Sequence, residues 1–172
     1  QELIKEKGGD ILVGEKVVAI NKEKDLWHVE TNKSSYYAKT VISTTALPVT
    51  ASFIKNWADK NYIKRLEKIK YIGNICLVLQ LKQKLSDTYW MNVNDPNFPF
   101  VGIIEHTNFE RAADYSGRHI IYLSKYLPVS SNIYKMDANE FFEYSFPYIK
   151  KMFPYFSKDW IIKKNMWKSE FS

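Results

Sequence analysis

Residues Tyr89–Tyr126, YWMNVNDPNFPFVGIIEHTNFERAADYSGRHIIYLSKY, decide the fold. They read as three strands, Asp87–Val93, Phe100–Thr107 and Arg118–Leu127, parted by a proline-rich loop and a short polar connection. The middle strand is apolar and ends in Glu105-His106-Thr107-Asn108, four hydrogen-bonding side chains in succession. Aromatic residues flank it in the neighbouring strands, Tyr89 and Trp90 on one side and Tyr122 and Tyr126 on the other. Polar groups converging at a sheet end between aromatic walls make a ligand-facing surface.

Upstream, Tyr71–Lys82 is the longest strand in the pattern. Tyr71, Gly73, Ile75, Leu77, Leu79 and Leu81 fall on one face, and Ile72, Cys76 and Val78 on the other. Two substantially apolar faces predict a central strand. Gly73 within it predicts a bulge or a close approach to the backbone. Downstream, Asp137 starts a helix that runs to about Phe153, kinked at Pro147 and stopped by Pro154, and Trp160–Phe171 returns as a strand.

The first fifty residues read as a helix ended by Gly8-Gly9, then a β-meander. Its strands are Lys16–Asn21, Leu26–Glu30 and Tyr36–Thr45, the last a buried strand ending in three hydroxyl residues. Val49–Trp57 and Lys60–Lys68 have helical spacing. The expected class is α+β: a mostly antiparallel mixed sheet with helices on one side, preceded by the short meander.

At 172 residues with 45% hydrophobic content the chain can bury a core, and 16% aromatic residues can both fill it and line a pocket. The net charge of +6 is scattered, which suits a soluble surface or anionic small-molecule partners and points only weakly to nucleic acid or membrane. The lone Cys76 excludes an internal disulfide and any cysteine metal cluster, and reads as a buried structural thiol. Three isolated histidines form no metal set. No stretch is long enough to span a bilayer, and a reducing, cytoplasmic setting is the expectation. Both ends read as cut, with an uncapped helical pattern at Gln1 and a strand pattern reaching Ser172.

The order Gly8-Gly9-Asp10-Ile11, Val17-Val18-Ala19-Ile20, Trp27-His28-Val29-Glu30-Thr31 and Val41-Ile42-Ser43-Thr44-Thr45 before Pro48 resembles the flavin-containing amine oxidase superfamily. Monoamine oxidases, protoporphyrinogen oxidases, carotenoid desaturases and, more distantly, UDP-galactopyranose mutases belong to it. The Ile104-Glu105-His106-Thr107-Asn108 run (within IIEHTN) is similar to an uncharacterised bacterial branch. The resemblance implies FAD as cofactor and hydride transfer from a C–N or C–C bond to flavin. It implies that residues 1–48 are part of an FAD-binding domain and 49–172 a substrate-binding domain. By the same resemblance Val17 meets the FAD adenine through its backbone, and Ser43, Thr44 and Thr45 lie near the flavin. The chain departs from the pattern in having Ala46 directly after this run, with proline delayed to Pro48, and in having no G-x-G-x-x-G turn.

Tyr89, Trp90, Glu105, His106, Asn108, Tyr122 and Lys125 are the candidate substrate-binding residues. Glu105 and His106 could form an acid/base pair or anchor substrate, although strand alternation turns them to opposite faces. The competing readings are a Glu105 paired with Lys or Arg, a satisfied His106 at a strand end, and an Asn108 that caps the following turn. The alternative activity is non-redox, of the UDP-galactopyranose mutase type, with Arg111, Arg118 and Lys125 holding a diphosphate. A nucleic-acid-binding module is the third reading. It needs strongly salt-dependent affinity.

Overall fold

A computed structural model describes all residues from Gln1 to Ser172. They form two compact units, Gln1–Lys70 and Tyr71–Ser172. The division falls after Lys70.

The first unit opens with a short helix, α1 (Glu2–Glu6), and the positive-φ Gly8 that ends it. A three-stranded antiparallel sheet follows: β1 (Val17–Glu23), β2 (Leu26–Thr31) and β3 (Ser35–Ala38), in that spatial order. The tight β1–β2 turn places Lys24 at positive φ. Two helices, α2 (Leu47–Ile54) and α3 (Lys60–Glu67), complete the unit. Pro48 sits in the first turn of α2, where its missing amide costs nothing, so it starts the helix as well as ending the segment before it. Asp59 caps α3 by accepting from the amides of Asn61 and Tyr62. Ile20, Ala51, Phe53, Ile54 and Leu66 form the core, which is why these helices belong with the meander.

The third strand of the meander is shorter than the sequence predicts. Residues 39–46 are irregular, Ile42 is 84% exposed, and no strand pairs with Val41–Thr45. A β-branched run has strand propensity, but without a neighbouring ladder its backbone has no partners to hold it extended.

The second unit is a five-stranded sheet in the order β5-β6-β7-β4-β8. Its strands are β4 (Gly73–Leu81), β5 (Trp90–Asn92), β6 (Gly102–Glu105), β7 (His119–Leu127) and β8 (Ile161–Ser169). Every ladder in both sheets is antiparallel, so the class is α+β and the expected mixed character is absent. Strand β4 pairs along its whole length with β7 and β8 and is internal. Its burial alternates strictly: Gly73, Ile75, Leu77, Leu79 and Leu81 are buried, and the residues between them half-buried.

The buried face is covered by α5 (Ala138–Met152), through Phe141, Phe142 and Ile149. The short α4 (Asn132–Lys135) precedes it. Asp137 and Glu140 start α5 with a reciprocal capping box. The helix runs on through Pro147, which forgoes one backbone hydrogen bond. Burying each large aliphatic or aromatic side chain in this layer contributes about 1.5–3 kcal/mol. Gly73 permits the packing beneath α4. A methyl group there would stand 2.8 Å from the Tyr134 ring and 3.0 Å from Val129.

The outer strands are guarded. β5 has three residues, and β8 carries Lys163, Lys164 and Lys168, charges that discourage edge-to-edge pairing. No helix of the chain is long and apolar enough to cross a membrane.

Candidate functional site

Helix α5 covers one face of the five-stranded sheet. On the opposite face the register aligns two complete rows of side chains. One row runs Asn92, Gly102, Ser124, Cys76, Trp167 across all five strands. The next runs Trp90, Ile104, Tyr122, Val78, Asn165. Residues directly opposite in a ladder share a face, so these ten positions form one surface. Trp90 is 54% and Trp167 68% exposed, at the two margins. Cys76, Val78, Ile104, Tyr122 and Ser124 between them are half-buried. The surface is uncharged, with bulky indoles at its rims and small protic groups at its centre, and is a candidate wall for a ligand.

His106 and Tyr115 close one end of this wall. His106 begins a single 3-10 turn after β6 and shares a 2.6 Å hydrogen bond between Nε2 and the Tyr115 hydroxyl. Its ring stands edge-on to Tyr122, with centroids 5.7 Å apart. Burial, then the neighbouring Tyr115, Cys76 and Tyr89, push the Tyr122 hydroxyl above the usual phenol range. Burial alone raises the Cys76 thiol. Both groups therefore stay protonated at neutral pH and keep a proton to donate.

The expected site residues divide between the two faces. Trp90, His106 and Tyr122 belong to the wall. Tyr89 packs at its margin, edge-on to Trp90 and tilted against Phe109. Glu105 does not reach it. It is 0% exposed and accepts hydrogen bonds from the Leu85 amide at 2.8 Å, the Ser86 amide at 2.7 Å and the Ser86 hydroxyl. Its role is to bind the 85–86 turn, so neither an acid/base partnership with His106 nor a pairing with Lys or Arg describes it. Lys125 also leaves the wall: it pairs with Ile75 on the covered side, and its ammonium donates to the Phe98 carbonyl. Asn108 is a tie between loops, its amide donating to the carbonyls of Ser86 and Thr88.

Cys76, Ser124, Gly102, Tyr115, Asn165 and Trp167 also fall on or beside this candidate wall and are not among the expected residues. The period-2 pattern of β4 and β7 contained the signal for Cys76 and Ser124. The contribution of β8 depended on knowing which strand it pairs with.

In the first unit, the V-x-x-I and V-I-S-T-T segments converge. Ile20, Val41 and Ser43 line one cleft of about 200 Å³ together with Trp27, Thr50, Ile54 and Trp57. Trp27 and Trp57 pack at 5.1 Å, and the Trp57 indole donates to the Ile20 carbonyl. At the rim, the Ser43, Thr45 and Thr50 hydroxyls form a closed triangle of hydrogen bonds with edges of 3.1, 2.9 and 2.9 Å. Val17 begins β1 at a register shift and on an outer strand, so one backbone edge of β1 is unpaired. Thr44 is exposed. Thr50 was not foreseen, being in the first turn of α2 and outside the motif.

No protein-family model matches the sequence, and no curated protein does. Solved structures match it across nearly its whole length. An oxidoreductase from Methanosarcina mazei aligns over 99% of the chain and 40% of its own, with a TM-score of 0.74 at 19% identity. A reduced UDP-galactopyranose mutase aligns over 97% and 37%, with a TM-score of 0.71 at 14% identity. A protein from Exiguobacterium sp. 255-15, provisionally described as a protoporphyrinogen oxidase, aligns over 97% and 38%, with a TM-score of 0.68 at 13% identity. The chain therefore shares the fold that these structures have over the aligned residues. The chain spans about two fifths of the length of these structures.

Proposed function

We propose that this chain belongs to an FAD-dependent oxidoreductase of the amine oxidase type, that residues 1–48 contribute to its cofactor-binding part, and that the open face of the five-stranded sheet is its substrate wall. The observation that carries the reading is the convergence of both motif segments on one cleft, with Ile20 from the first and Val41 and Ser43 from the second.

The residues present fit part of the cofactor. The unpaired backbone edge at Val17 and the apolar cleft beside the hydroxyl triangle suit the flat rings of FAD, whose backbone-facing edges need amide and hydroxyl partners. The pyrophosphate has no cradle within these residues, for there is no glycine-rich turn leading into a helix. When bound, the flavin supplies the hydride acceptor. The chain's own groups would bind and orient: Trp90, Ile104, Val78 and Trp167 exclude water from a ligand, while Tyr122, Ser124 and Cys76 present protons to it. A reducing, cytoplasmic setting is part of the proposal, since it keeps the Cys76 thiol free.

The mutase-type reading is the weaker one on these side chains. Arg111 is engaged with Asp114, and Lys125 is turned to the covered face. Only Arg118, which donates to Gln80, remains beside the wall from the set expected to hold a diphosphate. The test is turnover of an electron acceptor by the product of the whole reading frame. Net consumption of acceptor with substrate supports the oxidoreductase. A flavin that turns over sugar nucleotide with no net electron transfer overturns it in favour of the mutase.

A further inference from the structure

We infer that the open face takes an uncharged, flat ligand portion with a hydrogen-bond acceptor, oriented by the Tyr122 and Ser124 hydroxyls. This rests on the substrate-wall reading and narrows the substrate class. None of the ten side chains in the two complete rows carries a charge, in a chain with 25 basic and 19 acidic residues. The cations lie beyond them. Lys163 and Arg118 flank Gln80 in the following row, while Lys164 and Lys168 stand over the Phe142 and Tyr134 rings. A charged ligand group seated on the central rows would lose its hydration with no opposite charge in return, a heavy cost, whereas a neutral ring loses little.

The centre of the surface is low in bulk. Gly102 lies between Asn92 and Ser124 and has no side chain. A methyl group built there would make ordinary contacts, 3.7 Å from the Met91 carbonyl oxygen and 3.8 Å from the Ser124 hydroxyl, so a side chain fits there without displacing a neighbour. Within the fold the Tyr122 and Ser124 hydroxyls have no protein hydrogen-bond partner, and both face the open side of the sheet. Trp90 and Trp167 at the margins can stack on a ring.

The experiment is a heteronuclear NMR titration of the chain with 1-naphthol, neutral at pH 7, and separately with UDP. Naphthol is expected to shift the amides of Gly102 and Ser124 and the indoles of Trp90 and Trp167, and UDP to leave them in place. Tyr122→Phe, which keeps the ring, is expected to weaken naphthol by about fivefold, the value of one hydrogen bond. Gly102→Leu is expected to abolish the shifts by projecting a side chain beside the Ser124 hydroxyl, with the remaining spectrum certifying the fold. Shifts of these residues by UDP in preference to naphthol, no response to naphthol, or unchanged affinity in both variants would overturn the inference. A colourless, FAD-free whole protein would sink the flavoenzyme reading instead, and leaves these titrations unaffected.

Discussion

Glu105 and His106 are adjacent in the chain and serve opposite faces of one sheet. The Glu105 carboxyl is sealed on the covered side against the amides of Leu85 and Ser86, while the His106 imidazole bonds Tyr115 at the end of the open side. Glu105 is the last residue of β6 and keeps to the covered face, while the 3-10 turn that begins at His106 carries the imidazole to the open side.

Removing the Glu105 carboxyl is therefore expected to cost stability. Glu105→Ala leaves two amides without their acceptor, each worth about 1–3 kcal/mol when buried and unmet. Glu105→Gln keeps one acceptor oxygen and is expected to lose about half as much. Urea unfolding of the three proteins checks the order. An unfolding midpoint unchanged in Glu105→Ala contradicts the capping role.

The two sheet glycines are expected to respond with opposite tolerance. Gly73→Ala forces a methyl against Tyr134 and Val129 and is expected to destabilise by about 1–3 kcal/mol. Gly102→Ala meets only ordinary contacts and is expected to be neutral or stabilising by up to about 1 kcal/mol. Thermal unfolding of both variants decides. Equal losses would show that Gly102 is packed as tightly as Gly73.

Helix α5 depends on its start. Asp137→Ala removes the acceptor for the Asn139 and Glu140 amides and is expected to cost about 1–2 kcal/mol, with Asp137→Asn restoring most of it. Chemical denaturation measures both. Because α5 covers the sheet core, a loss confined to helix fraying, with no change in global unfolding, would contradict this packing.

Cys76 and Tyr122 set an alkaline limit. Each is an acid whose folded pKa is raised by burial, so folding favours the neutral form. That contribution is complete below the unfolded pKa values, about 8.5 for the thiol and 10 for the phenol, and disappears as pH rises through the folded values. Stability should fall as pH climbs through this range, and Cys76→Ala should flatten the first part of the decline. Iodoacetamide should also label Cys76 more slowly than a free cysteine at pH 8. Faster labelling would place the thiol in an electropositive setting that the structure does not contain.

Much of the second unit was legible because its strands obey simple alternation. Gly73 to Leu81 showed its buried face directly, Asp137 and Glu140 marked a helix start, and Gly73 indicated a close approach that Tyr134 supplies. The site was less legible. Alternation separated Glu105 from His106 but does not reveal which face a helix will cover, so Glu105 and Lys125 stood among the ligand residues. Trp167 and Asn165 join the wall only through the pairing of β8 with β4, a long-range register that no local pattern encodes. Val41–Thr45 failed as a strand for a related reason: propensity was present, and a ladder partner was not.

The most direct measurement is a side-by-side FAD titration of the 172-residue chain and the product of its whole reading frame, with released flavin quantified after denaturation. The expected result is a whole protein that holds FAD stoichiometrically and a 172-residue chain that binds it weakly, because the pyrophosphate has no cradle among these residues. A whole protein that is colourless and takes up no FAD, or micromolar FAD binding by the 172-residue chain alone, would contradict the account.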